Sequence, residues 1–307
     1  MDVSLTCKNG SCDEISLSVP ARDSMSKELS VRKPVPANYD TTKYKYIFNE
    51  VRAEIAKPFE EKLKRTKQLI KMFANVSNIC LSCSFGKDSM AVLHLVLQEN
   101  PKIPVNFNNT LCEFPETLAF KDQIVDSWDL NFAELKPTKG VNFFSINRRI
   151  VAEGLNRDDG RKHTDICCDN LKKKPFKLWR KNLGITKSFT GITASESRHR
   201  FTTACMKGTD YYTFRDGLYK IHPILYWSEK EVWNFTHDLN LPVNPAYEKY
   251  RLKRIGCMWC MSYKGWRKQI ARLNNKMYCY ILKNFCQDKQ WRISDPSYYE
   301  PNNEVYA

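Results

Sequence analysis

The sequence has no long apolar run. Its best stretch, residues 91–97, is interrupted by His94 and is far too short to span a bilayer. No charged N-terminal segment leads into an apolar core, so no secretory signal is expected. No internal repeat and no low-complexity tract are present. Acidic residues are scarce: 34 Asp and Glu face 49 Lys and Arg, a net charge of +15. That deficit says little about fold, but it favours an anionic partner such as nucleic acid, a nucleotide or phosphate. The plain alternative is a basic, solvated surface. Cysteine is abundant, with 12 residues. Without a secretory signal, metal binding or thiol chemistry is a better reading of them than disulfides. A soluble, cytoplasmic enzyme is the expectation.

The 307 residues suit one large domain, or a core with appended segments, and 42% hydrophobic residues suffice for a sizeable core. Residues 1–40 are polar and aperiodic, with Pro20, Pro34 and Pro36, and read as a flexible extension. Cys7 and Cys12 within it are too sparse to define a metal site. Residues 41–75 read as a helical lead-in, with Leu63, Ile70 and Phe73 among lysines over 57–75. Residues 76–245 alternate strand and helix. Strands are expected at 78–83, 103–107, 131–135 and 187–193, and helices at 87–99, 115–128 and 145–153. This rhythm predicts an α/β fold, a doubly wound and mostly parallel sheet flanked by helices. Residues 246–307 form a segment rich in cysteine and basic residues.

The segment Cys83-Ser84-Phe85-Gly86-Lys87-Asp88-Ser89 joins the first strand to the first helix of this rhythm. A new helix presents unpaired amides and its positive dipole end to an anion. Gly86 permits a tight turn. Ser84 and Ser89 offer hydroxyls to phosphate oxygens, and Lys87 a compact positive charge. Asp88 could hold a magnesium ion or cap the helix. The alternative is an ordinary strand–helix turn with Ser and Asp caps. The segment resembles the PP-loop of the N-type ATP pyrophosphatases, usually Ser-Gly-Gly-Lys-Asp-Ser, with Phe85 in place of the first glycine.

Further motifs narrow the resemblance to the phosphoadenylylsulfate (PAPS) reductase family, which shares the adenine nucleotide alpha-hydrolase-like fold. They are Phe114-Pro115-Glu116-Thr117, Gly191-Ile192-Thr193-Ala194-Ser195-Glu196-Ser197, and His222-Pro223-Ile224 with Trp227 and Glu231-Val232-Trp233. Leu241-Pro242-Val243-Asn244-Pro245 and Gly256-Cys257 complete the order. The resemblance covers about residues 75–265. It implies nucleotide contacts from Ser84, Phe85, Gly86, Lys87, Asp88, Ser89, Thr110, Gly191, Glu196 and Ser197. It also implies catalytic roles for Lys87 and Asp88, with ATP and Mg2+ as cofactors. Two positions depart from the family. Asn109, Thr110 and Leu111 stand where it usually has Asp-Thr-Gly, and Thr193 stands where it often has Arg.

Cys167-Cys168 and Cys257-Met258-Trp259-Cys260 are the second chemical signal. Thiolates are soft ligands that suit iron–sulfur clusters and zinc. The combination resembles the [4Fe–4S] motif of adenylylsulfate (APS) reductases and related enzymes, which implies a cluster held by those four residues. Zinc or free thiols are the alternatives. Cys205 is a substitute ligand if one vicinal cysteine is displaced. Cys80, Cys83, Cys112, Cys279 and Cys286 read as buried or incidental. Basic residues surround both pairs: Lys172, Lys173, Lys174, Lys177, Arg180 and Lys181 near the first, and eight Lys and Arg from Lys249 to Arg272 near the second. Tyr250, Trp259, Tyr263 and Trp266 interleave with the latter, a mixture suited to stacked bases and phosphates. A solvated helix face with core aromatics is the alternative.

Two enzyme readings follow from the resemblance. In the first, an ATP pyrophosphatase adenylylates an acceptor oxygen and sulfur then displaces AMP, as in DNA phosphorothioation proteins and tRNA thiolases. Nucleic acid is the expected acceptor and a cysteine desulfurase the possible sulfur donor. In the second, an APS or PAPS reductase uses a nucleophilic cysteine and thioredoxin to release sulfite. That cysteine normally sits in a C-terminal tail, whereas residues 298–307 contain none. The intact Gly86-Lys87-Asp88-Ser89 favours the first reading. A subunit that binds nucleotide or nucleic acid without turnover is the third.

Overall fold

In a computed structural model of the chain, residues 41–154, 163–262 and 265–285 are described. Cys7, Cys12, Cys286, Tyr263 and Lys264 lie outside them. The described residues from Lys43 onward form one compact unit. Two helices, α1 (Thr41–Ala56) and α2 (Phe59–Phe73), lead into β1 (Ile79–Ser82), α3 (Lys87–Glu99), β2 (Val105–Asn108), α4 (Pro115–Ser127), β3 (Phe132–Leu135) and α5 (Phe143–Glu153). Next come α6 (His163–Cys168), a π-helical turn (Asp169–Lys173), α7 (Lys174–Asn182), β4 (Lys187–Thr190) and α8 (Arg198–Lys207). The hairpin strands β5 (Asp210–Thr213) and β6 (Leu218–Ile221) precede α9 (Glu229–Asp238), α10 (Ala246–Lys249), α11 (Trp266–Leu273) and α12 (Asn275–Phe285).

The strands form one sheet in the order β3-β2-β1-β4-β6-β5. All pairs are parallel except β5 with β6. The fold is therefore the expected mostly parallel α/β sheet, with an antiparallel edge that the sequence reading did not foresee. From β1 the chain winds outward through β2 and β3 on one side, then returns to β4 on the other. The C-terminal ends of β1 and β4 thus flank a topological switch point, where open α/β sheets bind ligands.

The main core packs Leu81, Val92, Leu93, Val105, Phe189 and Trp227 with their neighbours on the sheet and its helices. A second core gathers Phe143, Ile146, Ile150, Ile166, Trp266, Ile270 and Ile281 from α5, α6, α11 and α12. Among the described residues no helix is long and apolar enough to cross a membrane.

One buried group gives the fold a pH signature. His222, just after β6, places Nδ1 2.6 Å from Thr190 Oγ1. Burial pushes its imidazole down to about 4 from the ordinary 6.5, helped by the charges of Lys220 and Arg200. Below pH 6.5 the unfolded imidazole therefore takes a proton that the folded one refuses. Its contribution is complete above about 6.5 and is lost as pH falls toward 4. A drop of about 3 kcal/mol in unfolding free energy is expected across that window. Urea titrations at several pH values should show His222→Gln flattening it.

Candidate functional site

The loop 84–89 forms at the switch point because β1 ends on polar Ser82 and α3 begins at Lys87, with Gly86 as the extended residue before it. Phe85 adopts a left-handed φ of 55°, a conformation that costs a non-glycine residue about 1–2 kcal/mol. Its ring compensates by burial, meeting Phe107 and Phe132 edge-on at 5.5 and 6.1 Å. Phe85 thus offers the loop its backbone, while its side chain belongs to the core. The Asn244 amide donates to the Phe85 carbonyl at 3.2 Å and holds the turn from outside.

Gly191, after β4, closes the opposite wall. A Cβ there would lie 2.6 Å from the Asp88 carbonyl oxygen and 2.7 Å from Ser89 Cα. Only glycine admits that approach of two backbones. Within the loop, Ser89 Oγ donates to the Gly86 carbonyl at 2.9 Å and lies 3.1 Å from Ser84 Oγ. The hydroxyls foreseen as phosphate donors are thus arranged on one another at the helix start.

Lys87 is 8% exposed, and its Nζ sits 3.0 Å from Asp88 Oδ2 and 3.9 Å from Glu229 Oε1. Its backbone N–H, the first of α3, donates to the Tyr247 hydroxyl at 3.0 Å. Burial raises the Tyr247 phenol well above its ordinary value, so that group stays protonated. Glu196 pairs with Arg200 and lies 3.5 Å from Arg254 Nη2. Burial pushes the Arg200 guanidinium down to about 10, with Arg254 adding repulsion and Asp88 countering it. Two guanidiniums therefore converge on the side of Asp88 and add to the positive end of α3. Ser197 caps α8 by accepting from the Arg200 N–H at 3.3 Å. Arg200 and Tyr247 were absent from the sequence reading. The i,i+4 spacing of Glu196 and Arg200 was the available signal for the first.

Thr110 lies where β2 exits toward the second site. Its hydroxyl donates to Glu113 Oε1 at 2.7 Å and lies 3.2 Å from Cys257 Sγ. Beyond it a cavity of about 30 Å³ is lined by Cys112, Cys167, Cys168, Cys257 and Cys260. All four cysteines of the two motifs meet here, joined by Cys112, which is buried, as the sequence suggests, but lies among them. The Met258 N–H donates to the Cys112 carbonyl at 2.7 Å and ties the two loops together. Burial pushes the Cys257 thiol up to about 11 and Cys112 to about 12. The Lys172 ammonium faces Cys257 and Glu113 and is held above its ordinary value by its attraction to them when ionised; in turn it eases ionisation of the Cys257 thiol against burial.

Five soft donors beside a cation suit a thiolate-held iron–sulfur group by chemistry. Among the described residues, no three His, Cys, Asp or Glu side chains are arranged to hold one ion as they stand. The five cysteines line one cavity. Cys205 packs with Ile55, Phe201 and Tyr226 in a different cluster, away from this cavity. Cys80 and Cys83 are buried as expected, whereas Cys279 is exposed on α12. The apolar stretch around Cys279 turns its other face to the core, through Tyr278, Ile281 and Phe285.

The basic stretches divide in the same way. Lys172 faces the thiols, and Arg180 is buried. Lys173, Lys174, Lys177 and Lys181 are exposed.

Residues 78–263 match the phosphoadenosine phosphosulfate reductase domain. A phosphoadenosine 5'-phosphosulfate reductase of Xanthomonas axonopodis pv. citri is 31% identical over 174 residues, 56% of this chain and 67% of that protein. Among solved structures, a PAPS reductase from Candida auris in complex with phosphate aligns at 16% identity and a TM-score of 0.49, covering 69% of this chain and 94% of that one. The U34-tRNA thiolase NcsA from Methanococcus maripaludis, with its [4Fe–4S] cluster, aligns at 13% identity and 0.44, covering 74% and 75%. On the extent of the domain match, this chain belongs to the phosphoadenosine phosphosulfate reductase domain family.

Proposed function

We propose that the protein is an ATP pyrophosphatase that activates an acceptor for sulfur transfer. The observation that carries this reading is the buried Lys87 at the start of α3, beside Asp88 and faced by Arg200. Loop amides, Lys87 and the two guanidiniums would bind the triphosphate, and Asp88 would hold Mg2+, whose charge offsets that of the phosphates. An acceptor oxygen attacks the α-phosphorus, the bond to the β-phosphate breaks, and pyrophosphate leaves. A sulfur nucleophile then attacks the activated carbon or phosphorus, and AMP departs. Cys167, Cys168, Cys257 and Cys260 would hold the [4Fe–4S] cluster, which would supply a centre for handling sulfur or electrons next to this reaction. Thr110, between the loop after β2 and Cys257, supports placing the two sites side by side. The positive charge supports a nucleic-acid acceptor, and a cysteine desulfurase would serve as sulfur donor.

The second reading is an APS or PAPS reductase. It is supported by the names of the relatives and by the exposed thiol of Cys279. In that reaction a thiolate attacks the sulfonate sulfur, the nucleotide leaves, and thioredoxin releases sulfite from the Cys–S–SO3⁻ adduct. The two separate in one assay. Anaerobic protein is incubated with ATP and Mg2+, or with APS or PAPS plus thioredoxin and its reductant, and pyrophosphate and sulfite are measured. Pyrophosphate without sulfite is expected. Sulfite release that survives loss of Lys87 but not of Cys279 would establish the reductase instead.

A further inference from the structure

The β5–β6 hairpin carries a surface that the reaction above does not use. Its turn is firmly held. The buried Arg180 donates to the carbonyls of Ile185 at 3.3 Å, of Gly217 at 3.2 Å, and of Asp216. A turn pinned in this way needs no apolar side chain at its tip. Yet Phe214 there is 90% exposed. Tyr212, near the end of β5, is 49% exposed and meets Phe214 edge-on at 5.0 Å and 88°. A large aromatic pair left in water marks an interaction surface.

Cations border this pair. Arg215, beside Phe214, reaches within 3.8 Å of Asp169, and Lys173 within 2.6 Å of the same carboxylate, both with their side chains largely in solvent. From there the exposed Lys174 and Lys177 continue along α7.

We propose that the hairpin tip is a stacking platform for single-stranded nucleic acid, with bases on Phe214 and Tyr212 and phosphates on Arg215 and the lysines beside it. Every base has a π-face, so aromatics interleaved with cations bind a single strand with little sequence preference. A second copy of this chain is a poorer occupant, since it would bring another charge of +15 against the same cations. The proposal rests on the nucleic-acid acceptor reading and places part of that acceptor. The turn precedes β6, which runs parallel to β4 and β1, so it lies at the sheet edge opposite the loop 84–89. The platform therefore holds a flanking stretch, and the reacting nucleotide lies elsewhere. Asp169, the carboxylate that Arg215 and Lys173 reach, follows Cys168 directly, so the cations of the platform begin beside the cysteine cavity.

The test is fluorescence anisotropy of labelled oligo-dT and oligo-U of about 15 nucleotides with the full chain over a range of salt. Phe214→Ala is expected to weaken binding about tenfold at every salt concentration without changing the slope, because stacking releases no counterions. Arg215→Gln should flatten the slope, and Phe214→Trp should restore affinity. Pyrophosphate release from ATP alone should be unchanged in all three. Wild-type binding that Phe214→Ala leaves intact would overturn the platform and spare the nucleic-acid reading. No wild-type binding even at low salt would remove both. If Phe214→Ala instead dissociates an oligomer in sedimentation without affecting oligonucleotide affinity, the tip is a protein contact and the proposal fails.

Discussion

Replacing Lys87 with alanine is expected to cut pyrophosphate release from ATP by about a hundredfold to a thousandfold, the loss typical when one preorganised donor to a developing negative charge is removed. The ammonium is 8% exposed, so little water screens it, and it sits one residue into α3, where the helix dipole adds to its field. On the proposed reading, a phosphate bound there would take the place of its present partner, Asp88, and leave that carboxylate free to hold magnesium. The fold should survive. The side chain ends in an ion pair at the edge of the site, and Tyr247 still accepts the first amide of the helix. Melting curves therefore accompany the assay. Lys87→Arg is expected to recover only part of the rate, since a planar guanidinium does not fill the space of a compact ammonium. Turnover of Lys87→Ala at the wild-type rate would dissolve the assignment of this loop.

The parts of the fold that were legible are those where one force dominates. Helix α3 was read at the same bounds it adopts, because an apolar stripe follows a glycine turn and ends in Glu99-Asn100-Pro101. Strands β1 to β4 were read to within a few residues; β1 and β2, buried at three of their four positions, stand out as short apolar runs. The β5–β6 hairpin was missed although Asp216-Gly217 is a turn signal. Its edge strand, Asp210–Thr213, is half exposed and carries no apolar alternation, so nothing around the turn declared a strand. Helix α8 was missed for a related reason: among its ten residues only Ala204 is buried. The site divides along the same line. The loop 84–89 is contiguous in sequence and was visible. Arg200 and Tyr247 come to it from distant segments. Cys112 reaches the other cysteines only because the exit of β2 is hydrogen-bonded to the Cys257–Cys260 turn through Met258, a tertiary contact with no local signature.

Those cysteines carry the second large effect. Anaerobically purified protein is expected to be brown and to contain about four iron atoms per chain, as a [4Fe–4S] cluster requires. Cys257→Ser and Cys167→Ser should each lose nearly all of that iron. Both sulfurs line the cavity, and Cys167 has the other four cysteines as its electrostatic neighbours. A serine hydroxyl is a hard donor that does not replace a soft thiolate. Cys205→Ser and Cys279→Ser should keep the full complement, because the first lies in a separate cluster and the second on the exposed side of α12. Cys112→Ser is the decisive comparison. Four thiols remain in the cavity without it, so iron should be retained. Bleaching of this variant would make Cys112 a ligand and release one member of the vicinal pair. Because burial raises the thiols of Cys167, Cys168 and Cys257, which hold their protons in the free protein, cluster loading should release protons and weaken as pH falls. Reconstitution with iron and sulfide at several pH values, followed by iron analysis, measures that dependence. Stoichiometric zinc with no iron in wild-type protein would replace the cluster with a structural thiolate site.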